Sequence, residues 1–161
     1  MQKRGKDNSN SEAPKDLIKW FSEIDKNSGP IAGGKGANLG EMYNLGIQVP
    51  PGFVVTAQAY DYFIEKAGIK EKITELLDRI NYEDTKQLEE ITKQIRFFIV
   101  NSSIPKDLEN EIIEAYENLD AEEVNSNATK SVMDILKAGS EPVFVAVRSS
   151  ATAEDLAGAS F

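Results

Sequence analysis

Between Thr56 and Leu119 the apolar residues recur every three or four positions, and this periodicity constrains the fold more than any other feature of the chain. Tyr60, Phe63, Ile64 and Ala67 form one set, with Thr56 ahead of it as an N-cap and Gly68 behind it as a stop. Ile69, Ile73, Leu76, Leu77 and Ile80 form a second set, and Leu88, Ile91, Ile95, Phe98 and Ile99 a third. Leu108, Ile112, Ala115, Tyr116 and Leu119 form a fourth. The spacing predicts helices over 57–67, 70–80, 84–100 and 106–119, each burying one face. Most of the acid lies on the opposite faces. Residues 57–141 hold nineteen of the 27 acidic groups and ten of the 18 basic ones, which equals the whole formal charge of −9. A solvated helix surface is the ordinary use of such charge, and its sign disfavours binding to nucleic-acid phosphates.

Short extended runs flank this helical block. Leu17, Ile18, Trp20, Phe21 and Ile24 make an apolar cluster that reads as either a short strand or an irregular docking segment. Asp25 to Gly36 reads as a loop, followed by a helix over 37–45 that Gly46 ends. Val49-Pro50-Pro51-Gly52 is an extended turn, because each proline fixes its own φ and restrains its predecessor. Phe53-Val54-Val55 reads as a short buried strand. After a loop at 120–130 and a short helix at 131–137, Val143 to Val147 is an unbroken apolar run, the pattern of a strand buried on both faces. The expected class is α/β, with α+β as the alternative: a small sheet including 53–55 and 143–147, and a helical block inserted at about 57–119. Residues 1–14 are polar and are expected to be a disordered tail, which leaves 15–161 as the domain.

Composition removes several chemistries. With no cysteine there are no disulfides, thiolate metal sites or cysteine nucleophiles, and with no histidine there is no imidazole base, ligand or phosphohistidine. No apolar run approaches the ~20 residues needed to cross a bilayer. Lys3, Arg4 and Lys6 have no apolar segment behind them, so the N-terminus does not read as a secretory signal. A reducing cytoplasm is the expected location, with no membrane and no nucleic-acid partner.

Two segments carry the chemistry that remains. The first is Gly33-Gly34-Lys35-Gly36-Ala37-Asn38-Leu39-Gly40. Glycines let backbone amides approach an anion, and a following helix start adds unpaired N–H groups. Lys35 is the only cation between Lys26 and Lys66. The stretch from Gly29 nearly matches the phosphate-loop pattern G-x-x-x-x-G-K-[ST], but Gly36 replaces the hydroxyl residue and no apolar strand precedes it. The dinucleotide pattern fails too, because Leu39 stands at its third glycine. A plain glycine-rich turn with a solvated lysine is the alternative. The second segment starts at Arg148, the only cation after Lys137, at the end of the apolar run. Arginine offers a fork of donors matched to phosphate oxygens, and Ser149, Ser150 and Thr152 add hydroxyl and backbone donors. Arg148 could instead pair with Glu154 or Asp155 and brace the loop.

GGKGANLGEM, then VPPGFVVTAQAY, then VAVRSSATAEDLAGASF, in that order, resembles the N-terminal end of the phosphoenolpyruvate synthase (pyruvate, water dikinase) family over about Leu17 to Phe161. The VRSSATAED stretch is the specific part. Pyruvate, phosphate dikinases, rifamycin phosphotransferases and glucan, water dikinases share related motifs. Ala157 stands where the family commonly has proline. The resemblance implies the N-terminal portion of an ATP-grasp-like nucleotide-binding domain, with ATP contacted by Lys35 and Arg148 within Gly33, Gly34, Gly36, Ser149, Ser150 and Thr152. It also implies Mg²⁺, held by carboxylates of a second half absent from this sequence, and separate phosphohistidine and pyruvate-binding domains as partners. The implied reaction converts ATP, pyruvate and water to AMP, phosphoenolpyruvate and phosphate. A chain without histidine is expected to be an ATP-binding fragment, inactive alone, with no catalytic residue of its own. The alternatives are a fragment of a rifamycin-type antibiotic phosphotransferase, or a helical interaction module working through acidic helices at 57–119.

Overall fold

The apolar cluster after Asp16 resolves into a strand and a turn. In the computed structural model, which describes residues 16–119 and 144–153, strand β1 (Ile18–Trp20) pairs antiparallel with β2 (Phe53–Val55). Ile18 faces Val55 and Trp20 faces Phe53, whose rings meet edge to face with centroids 5.5 Å apart. A single 3-10 turn, Phe21–Glu23, follows, and the Phe21 N–H donates to the Gly52 carbonyl (3.0 Å), carrying the pairing one step past the ladder.

The loop expected up to Gly36 ends at Ser28. The Asp25 carboxylate accepts from the Asn27 N–H and the Ser28 hydroxyl, which closes a tight turn, and Pro30 then presets φ for the first helical turn. Helix α1 (Gly29–Asn44) therefore starts eight residues earlier than the expected 37–45, with a break inside it at Gly33. It ends where expected: the N–H groups of Gly46 and Ile47 reach back to the carbonyls of Tyr43 and Met42. The periodic block folds as α2 (Ala57–Lys66), α3 (Lys70–Leu77), α4 (Thr85–Val100) and α5 (Lys106–Glu117). Two apolar clusters hold the parts together. Leu17, Ala59 and Leu108 join β1 to α2 and α5, while Phe21, Ile24 and Ala32 pack with Leu39, Tyr43 and Val54 under α1. The described residues are thus mainly helical with one small two-stranded sheet, consistent with the α/β expectation at that coarse level.

The expected strand at 143–147 is corrected. Residue 143 lies outside the described residues, and 144–147 form no strand. Phe144 and Val147 are 102% and 92% exposed. An apolar run becomes a buried strand only where neighbouring strands flank it, and the sheet among the described residues is complete with β1 and β2. The expected tail 1–14, loop 120–130 and helix 131–137 also lie outside the described residues. Among the described residues no helix is long and apolar enough to cross a membrane.

Thr56 joins sheet to helices. Its buried hydroxyl accepts from the Ala59 N–H (3.2 Å), capping α2, and shares its proton between the carbonyls of Asp16 (2.9 Å) and Leu17 (3.2 Å). Thr56→Val keeps the shape and deletes all three contacts, leaving the buried Ala59 N–H unmatched, while the Leu17 carbonyl keeps the Thr56 N–H. The expected cost is about 2 kcal/mol, read as a lower urea midpoint at unchanged m-value.

A second link gives a pH dependence. Tyr62 of α2 donates its phenolic O–H to the Asp107 carboxylate in the first turn of α5. That hydrogen bond is the main cause pushing the Tyr62 phenol up to about 12 and holding the Asp107 carboxyl below its ordinary value. The depressed carboxyl contributes stability that is present above an unfolded pKa of about 4 and is lost as pH falls through its lower folded value. The raised phenol contributes stability present below an unfolded pKa of about 10 and lost as pH climbs through the folded one. The link should therefore be intact from about pH 5 to 9. Tyr62→Phe should lower the melting midpoint by a small constant amount across that window, and the difference from wild type should shrink as pH falls through the lowered pKa of the Asp107 carboxyl.

Candidate functional site

At Gly33 the backbone leaves helical geometry for φ 70°, ψ 168°, a region that side chains disfavour, and the helix resumes at once. Residues 150–151 sit against this break. The Gly34 N–H donates to the Ala151 carbonyl (3.1 Å), and the Gly36 N–H donates to Ser150 Oγ (3.0 Å). The Ser150 hydroxyl in turn donates to the Ala32 carbonyl (2.7 Å). A Cβ on Gly33 would lie 2.6 Å from the Ser150 carbonyl carbon and 2.7 Å from its oxygen, so only glycine admits this approach. The two segments singled out in the sequence, more than a hundred positions apart, are thus hydrogen-bonded into one unit.

Within that unit Gly33 and Gly36 are buried, while Gly34, Lys35 and Ser150 are half-buried. Arg148, Ser149 and Thr152 are exposed. Lys35 lies between two anchored amides, since the residue on each side of it is tied to 150–151. Arg148 precedes Ser150 by two residues, so their Cα atoms are at most about 7 Å apart. Adding the Gly36–Ser150 bond puts the Cα atoms of Lys35 and Arg148 within roughly 15 Å, a span that two long cationic side chains can close upon a shared anion.

The amides of Gly34 and Gly36 hold the second segment, so in this structure their donors go to protein. The Ser150 proton is likewise spent on Ala32. Sequence reading missed the small face Ala32-Gly33-Gly36-Ala37-Gly40, all buried, that lets α1 lie close to its neighbours. A Cβ on Gly40 would sit 2.6 Å from the Ile24 carbonyl oxygen, and one turn on, Asn44 Nδ2 donates to the carbonyls of Phe21 (3.1 Å) and Ile24 (2.8 Å). Helical spacing of the small residues was the available signal.

The donor set for a metal is thin. Glu41, the nearest described carboxylate in sequence to Lys35, accepts from the Lys26 N–H (3.1 Å), and Glu154 and Asp155 lie outside the described residues. Among the described residues no group of three or more carboxylates could hold a cation, so they do not by themselves fit Mg²⁺.

Comparison with known proteins follows the same two segments. The family model described as "Pyruvate phosphate dikinase, AMP/ATP-binding domain" matches residues 29–161, from the first residue of α1 through the Ser150 segment. The phosphoenolpyruvate synthase of Escherichia coli is 38% identical over 149 residues, covering 90% of this chain and 17% of its own length. That of Pyrococcus furiosus is 38% identical over 177 residues, covering 90% of this chain and 20% of its own. A Staphylothermus marinus protein named "Probable phosphoenolpyruvate synthase" is 46% identical over 155 residues, covering 95% of this chain and 17% of its own. The chain spans about a fifth or less of the length of these curated relatives. A match that runs unbroken from the glycine–lysine break to the segment docked upon it places the chain in the pyruvate phosphate dikinase AMP/ATP-binding domain family.

Proposed function

We propose that the unit formed by 33–36 and 148–152 holds the polyphosphate of ATP, with Lys35 and Arg148 as its cationic ligands. The observation that carries this reading is the pinning of both neighbours of Lys35 to the segment that begins at Arg148. A triphosphate needs converging positive charge fixed in advance, because ordering two long side chains on binding costs affinity. In this reading Ser149 and Thr152 add hydroxyl donors from the exposed side, and Ser150 with Gly33, Gly34 and Gly36 sets the geometry.

The relatives' names extend the proposal to the whole protein. We read the chain as the N-terminal, ATP-grasp-like portion of a phosphoenolpyruvate synthase acting in the cytoplasm, whose complete reaction consumes ATP, pyruvate and water. Phosphohistidine and pyruvate sites would then be supplied by other domains, since this sequence has no histidine, and Mg²⁺ by carboxylates outside the described residues. The antibiotic phosphotransferase reading and the interaction-module reading gain no support from these relatives.

Calorimetric titration with ATP, ADP and AMP tests the site. Each additional phosphate should tighten binding by about tenfold, the size of one charge-assisted hydrogen bond. Equal affinity for AMP and ATP would place recognition on the nucleoside and defeat the polyphosphate reading.

A further inference from the structure

The helix that carries Lys35 has no side chain at its own cap position. Counting from the break, Gly33 is the cap and Gly34, Lys35 and Gly36 are the first three helical residues. A serine at a cap accepts from the N–H of the second or third helical residue. Here the acceptor for the third, Gly36, is Ser150 Oγ, supplied from a different segment, while the Ala151 carbonyl takes the first, Gly34. The Ser150 proton goes to Ala32, on the other side of the break. One hydroxyl thus ties both halves of α1 to the segment of Arg148.

We propose that Ser150 is a positioning residue for Lys35, capping its helix in trans and so fixing where the ammonium meets phosphate. The proposal rests on the reading above that Lys35 binds the ATP polyphosphate. It assigns Ser150 no phosphate contact of its own, because its proton is already given to Ala32 and it acts through the backbone on either side of Lys35.

A double-mutant cycle on this chain, with ATP as the probe, separates the possibilities. Ser150→Ala should weaken ATP binding by about fivefold to tenfold, the effect of losing one good cap. In a Lys35→Ala background the same change should weaken it less than twofold, because the residue being positioned is gone. Ser150→Thr, which keeps the hydroxyl, should retain most of the affinity. Equal losses in both backgrounds would show that Ser150 contacts ATP itself or only stabilises the fold, and would overturn the proposal, as would an unchanged affinity in Ser150→Ala. If the wild-type chain bound no ATP, the reading of the site would fail and this inference with it. Should Ser150→Ala not fold, amide exchange on the wild-type chain still decides. Gly34 and Gly36 should exchange slowly although they begin a helix, and fast exchange at Gly36 would contradict capping by Ser150.

Discussion

Gly33→Ala is expected to straighten α1 and expel the segment at 150–151. Two costs oppose keeping the native arrangement with a side chain present. The backbone at φ 70°, ψ 168° costs about 1–3 kcal/mol for a residue with a Cβ, and the overlap with the Ser150 carbonyl adds a similar amount. Against them stands a helical alternative that alanine favours over glycine by about 1 kcal/mol. Expulsion gives up only a few hydrogen bonds, since Ala151, Thr152 and Ala153 are exposed already. The helix should therefore survive, with little change in overall stability, while the docked segment comes free. Tryptic cleavage after Arg148 should accelerate, and ATP affinity should fall by about two orders of magnitude, the loss of roughly 3 kcal/mol. Unaltered cleavage and affinity would mean that the Gly33 break does not seat the second segment.

The helical block was legible because helix periodicity is local information. Ile64, Ile69, Ile91, Leu108, Ala115 and Leu119 are buried, each at a position that its spacing predicted. Tyr60 and Leu77 are exposed, however, and α3 has no buried residue, because spacing shows which residues share a face and not what packs against it. The apolar run at 144–147 was misread for the opposite reason: it announces a need for burial but does not say which strands meet it. In α1 the glycines looked like loop residues, whereas a helix runs through them. Their missing side chains are used for close packing against Ile24, Val54 and Ser150. Both halves of the candidate site could be picked out in the sequence, because Lys35 and Arg148 are isolated cations among small and hydroxyl-bearing residues. That the two meet at one ligand was implied by the resemblance, in which both contact ATP, although neither segment by itself contains any sign of the other. The trans cap at Ser150 becomes visible only when the empty cap position at Gly33 and its distant occupant are seen together.

In the proposed site Lys35 and Arg148 act on one polyphosphate. Each forms charge-assisted contacts to phosphate in this account, and each such contact carries about 1.5–3 kcal/mol, or roughly tenfold to 150-fold in affinity. Charge-conserving replacements discriminate position from sign. Arg148→Lys keeps the charge but loses the planar fork, and should recover only part of the loss caused by Arg148→Ala. The two sites share a ligand, so their effects should couple and fall short of simple addition or exceed it by more than about 0.5 kcal/mol. ATP dissociation constants for the wild-type chain, Lys35→Ala, Arg148→Ala and the double variant, measured at one fixed salt concentration, test this most directly. A loss of tenfold or more is expected in each single variant, with clear coupling between them, whereas an unchanged constant in either single variant would show that the two cations do not share a polyphosphate.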